Sequence, residues 1–102
     1  MSQQKTKQRN KEQARRGVSV SFTPHGWKDY QHWKTNDEAI SIALDRLISE
    51  CLRTPFTGTG KPEPLKGDLS GYHSRRITKE HRLIYMYEAG TLTVIACRYH
   101  YE

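Results

Sequence analysis

The run Arg82-Leu-Ile-Tyr-Met-Tyr-Glu-Ala-Gly-Thr-Leu-Thr-Val-Ile-Ala-Cys-Arg-Tyr-His-Tyr101 decides the fold class. Aromatic and β-branched residues fill it, and Ala89-Gly90 interrupts it where a tight turn belongs, so it reads as a hairpin of strands Arg82–Glu88 and Leu92–Tyr101. Upstream, Ser74–Thr78 reads as a third strand. Before that, residues 56–71 hold four of the seven glycines together with Pro62 and Pro64, and Pro55 lies beside them, which marks a loop-rich segment.

Nearer the N-terminus, Val18, Val20 and Phe22 alternate with Ser19 and Ser21, the period of a half-buried strand. Thr23-Pro24 has the form of a helix N-cap followed by proline at the first helical position. Trp27, Tyr30 and Trp33 recur along that helix as a core-facing stripe. Thr35 and Glu38 have capping-box spacing for a second helix, whose apolar positions Ile40, Ala43, Leu44, Leu47, Ile48, Cys51 and Leu52 follow a 3.6-residue period. Asp45, Arg46, Glu50 and Arg53 point elsewhere, and Thr54-Pro55 ends the helix. Strand, two helices and then hairpin-linked strands imply an α+β domain, with two N-terminal helices packed on one face of a mostly antiparallel twisted β-sheet. The other face is left for function.

With 102 residues there is room for one domain, assigned to residues 18–102. Residues 2–16 carry a single apolar side chain, Ala14, so residues 1–17 read as a flexible basic extension that cannot bury enough surface to order itself. That extension also carries most of the formal charge of +6, because its first sixteen residues hold six Lys/Arg and one Glu. The domain itself is nearly balanced, which weakens a reading as a plain basic RNA-binding module. No apolar run is long enough for a membrane span and no secretory h-region is present, so a cytoplasmic protein is expected. In a reducing compartment Cys51 and Cys97 are expected as buried free thiols, and two cysteines without ligand spacing suggest neither a metal nor another cofactor.

Chemistry concentrates in Gly60-Lys-Pro-Glu-Pro-Leu-Lys66 and the strands after it. Glu63 stands between two prolines that fix φ near −65°, which places its carboxylate on a stiff segment. Lys66, Arg75, Arg76, Lys79, Arg82 and Arg98 flank it. Strand alternation puts Arg98 and His100 on one face of the last strand, with Cys97, Tyr99 and Tyr101 on the other, and hairpin pairing brings Arg82 near His100. A carboxylate, a guanidinium and an imidazole in one cleft form a phosphoryl-transfer set. Each also fits a bland role: Glu63 as a solvated turn residue, Arg82 as a cross-strand ion-pair partner, His100 as a surface histidine, and Ser74-Arg75-Arg76 as an exposed strand edge. Composition and periodicity leave both sets open.

The blocks Arg53-Thr-Pro-Phe, Gly60-Lys-Pro-Glu-Pro-Leu-Lys66, Leu69-Ser-Gly, Ser74-Arg-Arg-Ile, Glu80-His-Arg-Leu-Ile-Tyr85 and Ala96-Cys-Arg-Tyr-His-Tyr101 resemble the YoeB toxins of the RelE/ParE superfamily, from about Val18 to Tyr101. The resemblance implies a RelE-like, microbial-ribonuclease-like fold. It also implies the toxin of a type II toxin–antitoxin pair that cleaves mRNA in the ribosomal A site. Glu63 then matches the general base, His100 the general acid and Arg82 the phosphate-stabilising arginine. Lys66 and Arg76 match further basic residues of the site, and Tyr101 its terminal aromatic. The partners implied are a cognate YefM-like antitoxin, the 70S ribosome with its mRNA, and a second copy of the chain. The alternative on the same superfamily fold is a non-catalytic ParE-like inhibitor of DNA gyrase, which has no use for an acid–base set.

Two positions depart from the pattern. His73 stands where a Trp is expected, and Glu102 extends beyond the usual terminal Tyr. Because the resemblance begins near Val18, translation is expected to start there at a GUG codon, which the mass of the native N-terminus would test.

Overall fold

The computed structural model describes Gly17 and residues 19–99. Residues 1–16 of the basic extension, Val18, His100, Tyr101 and Glu102 lie outside the described residues. The chain runs β1 (Ser19–Phe22), α1 (Pro24–Asn36), α2 (Glu38–Arg53), β2 (Glu63–Pro64), a 3-10 turn (Gly67–Leu69), β3 (His73–Arg76), β4 (Arg82–Glu88) and β5 (Thr91–Ala96). The strands form one five-stranded sheet in the order β1-β5-β4-β3-β2.

The sheet is mixed. The β5/β4, β4/β3 and β3/β2 pairs are antiparallel, whereas β1 lies parallel to β5, with Ser19 opposite Thr91 and Phe22 opposite Val94. Alternation in β1 sends Val20 and Phe22 to the side of Leu92 and Val94, beneath the helices. Ser19 and Ser21 face the other way, where their hydroxyls meet those of Thr91 and Thr93 at 3.1 and 3.0 Å.

Thr23 caps α1 as its sequence suggests, accepting the Gly26 amide at 3.0 Å, and Pro24 opens the helix. The same hydroxyl donates to the Ile95 carbonyl, tying the helix start to β5. Gly26 lies so close to that strand that a Cβ there would sit 2.3 Å from the Val94 oxygen. The aromatic stripe divides. Trp33 is buried in the core, Tyr30 is half-buried with its hydroxyl on Asp45, and Trp27 is 49% exposed beside Phe22.

Asp37, not Thr35, caps α2. Thr35 is absorbed into the last turn of α1, and Asp37 serves both helices: its N–H donates to the Trp33 carbonyl while its carboxylate accepts the Ile40 amide at 3.1 Å. The predicted α2 stripe is buried or half-buried throughout, and Thr54 closes the helix through the Glu50 carbonyl. Leu44, Leu47, Ile48 and Cys51 pack with Trp33 onto Leu83, Tyr85, Leu92 and Val94 of the sheet, each large side chain contributing about 1.5–3 kcal/mol by leaving water. Both cysteines are buried and free.

The strands differ from the reading of the sequence in three places. β3 stops at Arg76, because Ile77 turns to bond the His81 carbonyl and the Thr78 hydroxyl accepts the Glu80 and His81 amides. β5 stops at Ala96. The loop-rich segment contains a two-residue strand, β2, kept short because Pro62 and Pro64 have no N–H to offer a ladder. Among the described residues no helix is long and apolar enough to cross a membrane.

Candidate active site on the open sheet face

Register alone brings Glu63, Arg76 and Arg82 onto one surface. Directly opposed residues share a face, and Glu63 opposes Ser74, Ser74 opposes Ile84 and Ile84 opposes Ala96. Two residues along, Arg76 opposes Arg82. None of these belongs to the helix-covered core, which takes Leu83, Tyr85, Leu92 and Val94 from the alternate positions. Standard strand spacings put the Glu63 and Arg82 backbones about 12 Å apart.

Glu63 is held from both sides. The Gly60 carbonyl accepts the Arg76 amide at 2.7 Å, and Leu65 donates to the Tyr72 carbonyl at 2.9 Å. Gly60 has φ +85°, and a Cβ would meet the Arg76 oxygen at 2.8 Å, so this junction requires glycine. The Glu63 side chain stands exposed. Lys66, three residues on, is exposed at the head of the 3-10 turn.

The two arginines make an unusual pair. Like charges directly opposed across strands are destabilising, and among the described residues neither guanidinium forms an ion pair. Arg82 is half-buried, and its Nη1 is a buried donor with no hydrogen-bond partner among the described residues. Such an orphan costs about 1–3 kcal/mol, which an anionic ligand would recover.

Arg75 is not part of this surface. Expected at an exposed strand edge, it is wholly buried on the helix side, because β2 covers the β3 edge and alternation turns Arg75 away from Arg76. Its guanidinium donates to the carbonyls of Thr54, Thr57 and Thr59 and to the Tyr85 hydroxyl, and lies 3.6 Å from Glu50. The Tyr85 hydroxyl in turn donates to the Pro55 carbonyl. Glu50 accepts the Thr59 amide, which holds its carboxyl below the ordinary range, with the Thr59 hydroxyl, Arg75 and Arg53 adding to the effect against partial desolvation. Arg75 thus anchors the loop that leads into Glu63.

His73 also lies on the helix side, tilted against Phe56 at 4.8 Å and stacked on Tyr85 at 5.8 Å, so its departure from Trp affects sheet packing. Burial lowers its pKa from the ordinary 6.5.

His100 and Tyr101 fall outside the described residues, but the segment that delivers them does not. The expected alternation of Cys97, Arg98 and Tyr99 along a strand fails, because β5 has ended and side chains take over from the ladder. The Cys97 amide donates to Asp29 at 3.0 Å and the Trp33 indole donates to the Cys97 carbonyl at 2.7 Å. Burial, with Asp29 adding, pushes the Cys97 thiol up to about 12. Arg98 lies over the rings of Trp33 and Tyr99. Tyr99 adopts φ +62°, a left-handed conformation costing about 1–3 kcal/mol for a non-glycine residue. Its N–H donates to His81 Nδ1 at 2.8 Å, and its carbonyl accepts the Arg82 amide at 3.2 Å. The Arg82 backbone thus meets Tyr99, the last described residue, while its expected neighbour His100 lies outside the described residues. This contact of His81 has no local signal in the sequence, where it is one more histidine beside an arginine in a turn.

A family model described as the YoeB-like toxin of bacterial type II toxin–antitoxin systems matches residues 22–101. The chain belongs to the YoeB toxin family. It is 52% identical to the YoeB toxin of Streptomyces coelicolor and 50% identical to that of Escherichia coli, each over 84 residues that make up 82% of this chain and all of the relative. Among solved structures, a YoeB/ParE toxin from Agrobacterium tumefaciens is 46% identical and superposes with a TM-score of 0.79, covering 82% of this chain and all of that one. A YoeB–YefM complex from Staphylococcus aureus gives a TM-score of 0.77 at 35% identity, covering 82% of this chain and 98% of that one. With YafQ of E. coli, at 17% identity and a TM-score of 0.68, the likeness is one of fold alone. The expected α+β fold of YoeB toxins is thereby met.

Proposed function

We propose that this chain is a ribosome-dependent endoribonuclease that cleaves mRNA in the ribosomal A site. The observation that carries the reading is the register that sets the exposed Glu63 carboxylate on the same face as the orphaned Arg82 guanidinium, leaving room between them for a ribose and its phosphate. Glu63 accepts the proton of the ribose 2′-OH, and the 2′-oxygen attacks the adjacent phosphorus. Arg82, supported by Arg76 and Lys66, stabilises the negative charge that builds on the phosphoryl oxygens, a role worth about 3–4 kcal/mol per well-placed donor. His100 gives its proton to the departing 5′-oxygen, and Tyr101 supplies an aromatic face for the RNA. The first product is a 2′,3′-cyclic phosphate, which opens to a 3′-phosphate.

Relatives from S. aureus were solved as a YoeB dimer and as a YoeB–YefM complex. Those assemblies support a YefM-like antitoxin as the partner of this chain and a homodimer as its free form, and a ribosome-bound mRNA substrate goes with the cytoplasm as its compartment. Programmed 70S ribosomes provide the test. The parent cleaves the bound mRNA, while Glu63→Ala and His100→Ala lose about 10²–10⁴-fold in rate and Arg82→Ala about 10²–10³-fold. Equal cleavage by all four proteins removes the assignment, and gyrase inhibition with intact mRNA replaces it by the non-catalytic reading.

A further inference from the structure

We infer that His81 is a positioning residue for His100, acting through the Tyr99 peptide; the inference rests on the roles proposed above for Glu63, Arg82 and His100. From Cys97 to Tyr99 the chain is out of the sheet, so no ladder fixes the backbone of these residues. Tyr99 also sits at φ +62°, which the chain does not favour unaided. Both polar groups attached to that residue are nevertheless held by one dipeptide: His81 Nδ1 accepts its N–H at 2.8 Å, and the Arg82 amide donates to its carbonyl at 3.2 Å.

The His81 ring is itself fixed. It is buried, packed edge-on against Trp33 at 4.6 Å and tilted against Tyr99 at 5.2 Å. Trp33 in turn donates to the Cys97 carbonyl, so the same indole braces both the histidine and the segment it holds. An acceptor Nδ1 places the proton of the neutral ring on Nε2. His100 follows Tyr99 by one peptide bond, and Arg82 follows His81 by one. The mount for the acid and the mount for the phosphate-binding arginine are therefore a single piece of backbone. A shift of about 1 Å at such a mount is enough to cost 10²-fold in rate.

His81→Ala is expected to lower single-turnover cleavage on programmed ribosomes by about 10- to 100-fold while leaving half-saturation within about twofold, the signature of lost alignment and not of lost binding. His81→Asn, whose Oδ1 takes the place of Nδ1, restores the rate to within about fivefold, and His81→Gln, whose oxygen reaches toward Nε2 instead, does not. Parental rates in His81→Ala, equal loss in the Asn and Ala variants, or better rescue by Gln would each overturn the inference. In the parent protein, amide exchange offers a readout free of activity: the Tyr99 N–H is protected, and exchange at the rate of an open peptide overturns the inference without any variant having to fold. His100→Ala run alongside separates the two ideas, since parental cleavage by that variant removes the role of the acid, whereas loss in His100→Ala with none in His81→Ala removes only the mount.

Discussion

The two faces of the sheet treat neighbouring arginines in opposite ways. Arg75 and Arg76 adjoin on β3, yet Arg75 is buried under the helices with carbonyl, hydroxyl and carboxylate partners, and Arg76 is exposed opposite another arginine without an acid. A buried guanidinium survives only when its donors are matched, so the helix face spends its arginine on structure. The face away from the helices buries Ser74, Ile84 and Ala96 but leaves the like charges at its margin unmatched among the described residues, which costs stability and keeps cationic donors available for an anion. One residue of strand alternation separates a buried fastener from an exposed cation.

Exchanging the two environments has effects of very different size. Arg75→Ala strands the Thr54, Thr57 and Thr59 carbonyls and the Tyr85 hydroxyl, and urea unfolding is expected to lose about 3 kcal/mol or more. Arg75→Lys recovers little of it, because an ammonium cannot reproduce the planar fork. A parental midpoint for Arg75→Ala would mean that the 54–59 loop holds itself.

Arg76→Ala inverts the pattern. Its unfolding free energy in urea stays level or rises by about 0.2–1 kcal/mol as the opposition to Arg82 disappears. Ribosome-bound mRNA is cleaved about 10- to 100-fold more slowly at low substrate, and the log–log salt slope of RNA affinity falls by about 1. A salt slope matching the parent's would place Arg76 away from phosphate.

The smallest effect lies at His73. Burial depresses its pKa in the folded state, so the unfolded chain binds the proton more readily. Stability is accordingly full above the ordinary value of 6.5 and declines as pH falls from there through the folded pKa. In thermal melts across that window, His73→Phe is expected to flatten the decline; an unaltered slope would assign it to another group.

What the sequence discloses follows the range of the interactions involved. The α2 stripe, the β1 alternation and the Thr23-Pro24 cap are local patterns, and each is found where its residues predict. Asp37 displaced Thr35 as a cap because both residue types can serve, and only the length of α1 chooses between them. The parallel β1/β5 pair joins residues from opposite ends of the chain, a contact that periodicity does not encode. Glu63, Arg76 and Arg82 could be named from their resemblance to a family, and register then explains why they share a face. Arg75 and His81 resisted reading because each hydrogen-bonds to main-chain groups, carbonyls at 54, 57 and 59 for the one and the amide at 99 for the other. Backbone partners leave no mark in side-chain patterns.

The place of β5 in the sheet sets the order of events during synthesis. The strand beside β1 is the last to be made, and Ser19 waits for Thr91 across 72 residues of chain. A nascent polypeptide emerging N-terminus first can form α1 and α2 early, but β1 cannot join the sheet until its neighbour β5 is out, and contacts of that separation close slowly. Glu63 and Arg82 are likewise translated before the strand that ties their half of the sheet to the helices. A chain interrupted before residue 91 therefore has the means to make helices but not a finished domain, and the working surface comes into being only when translation of this molecule is nearly over.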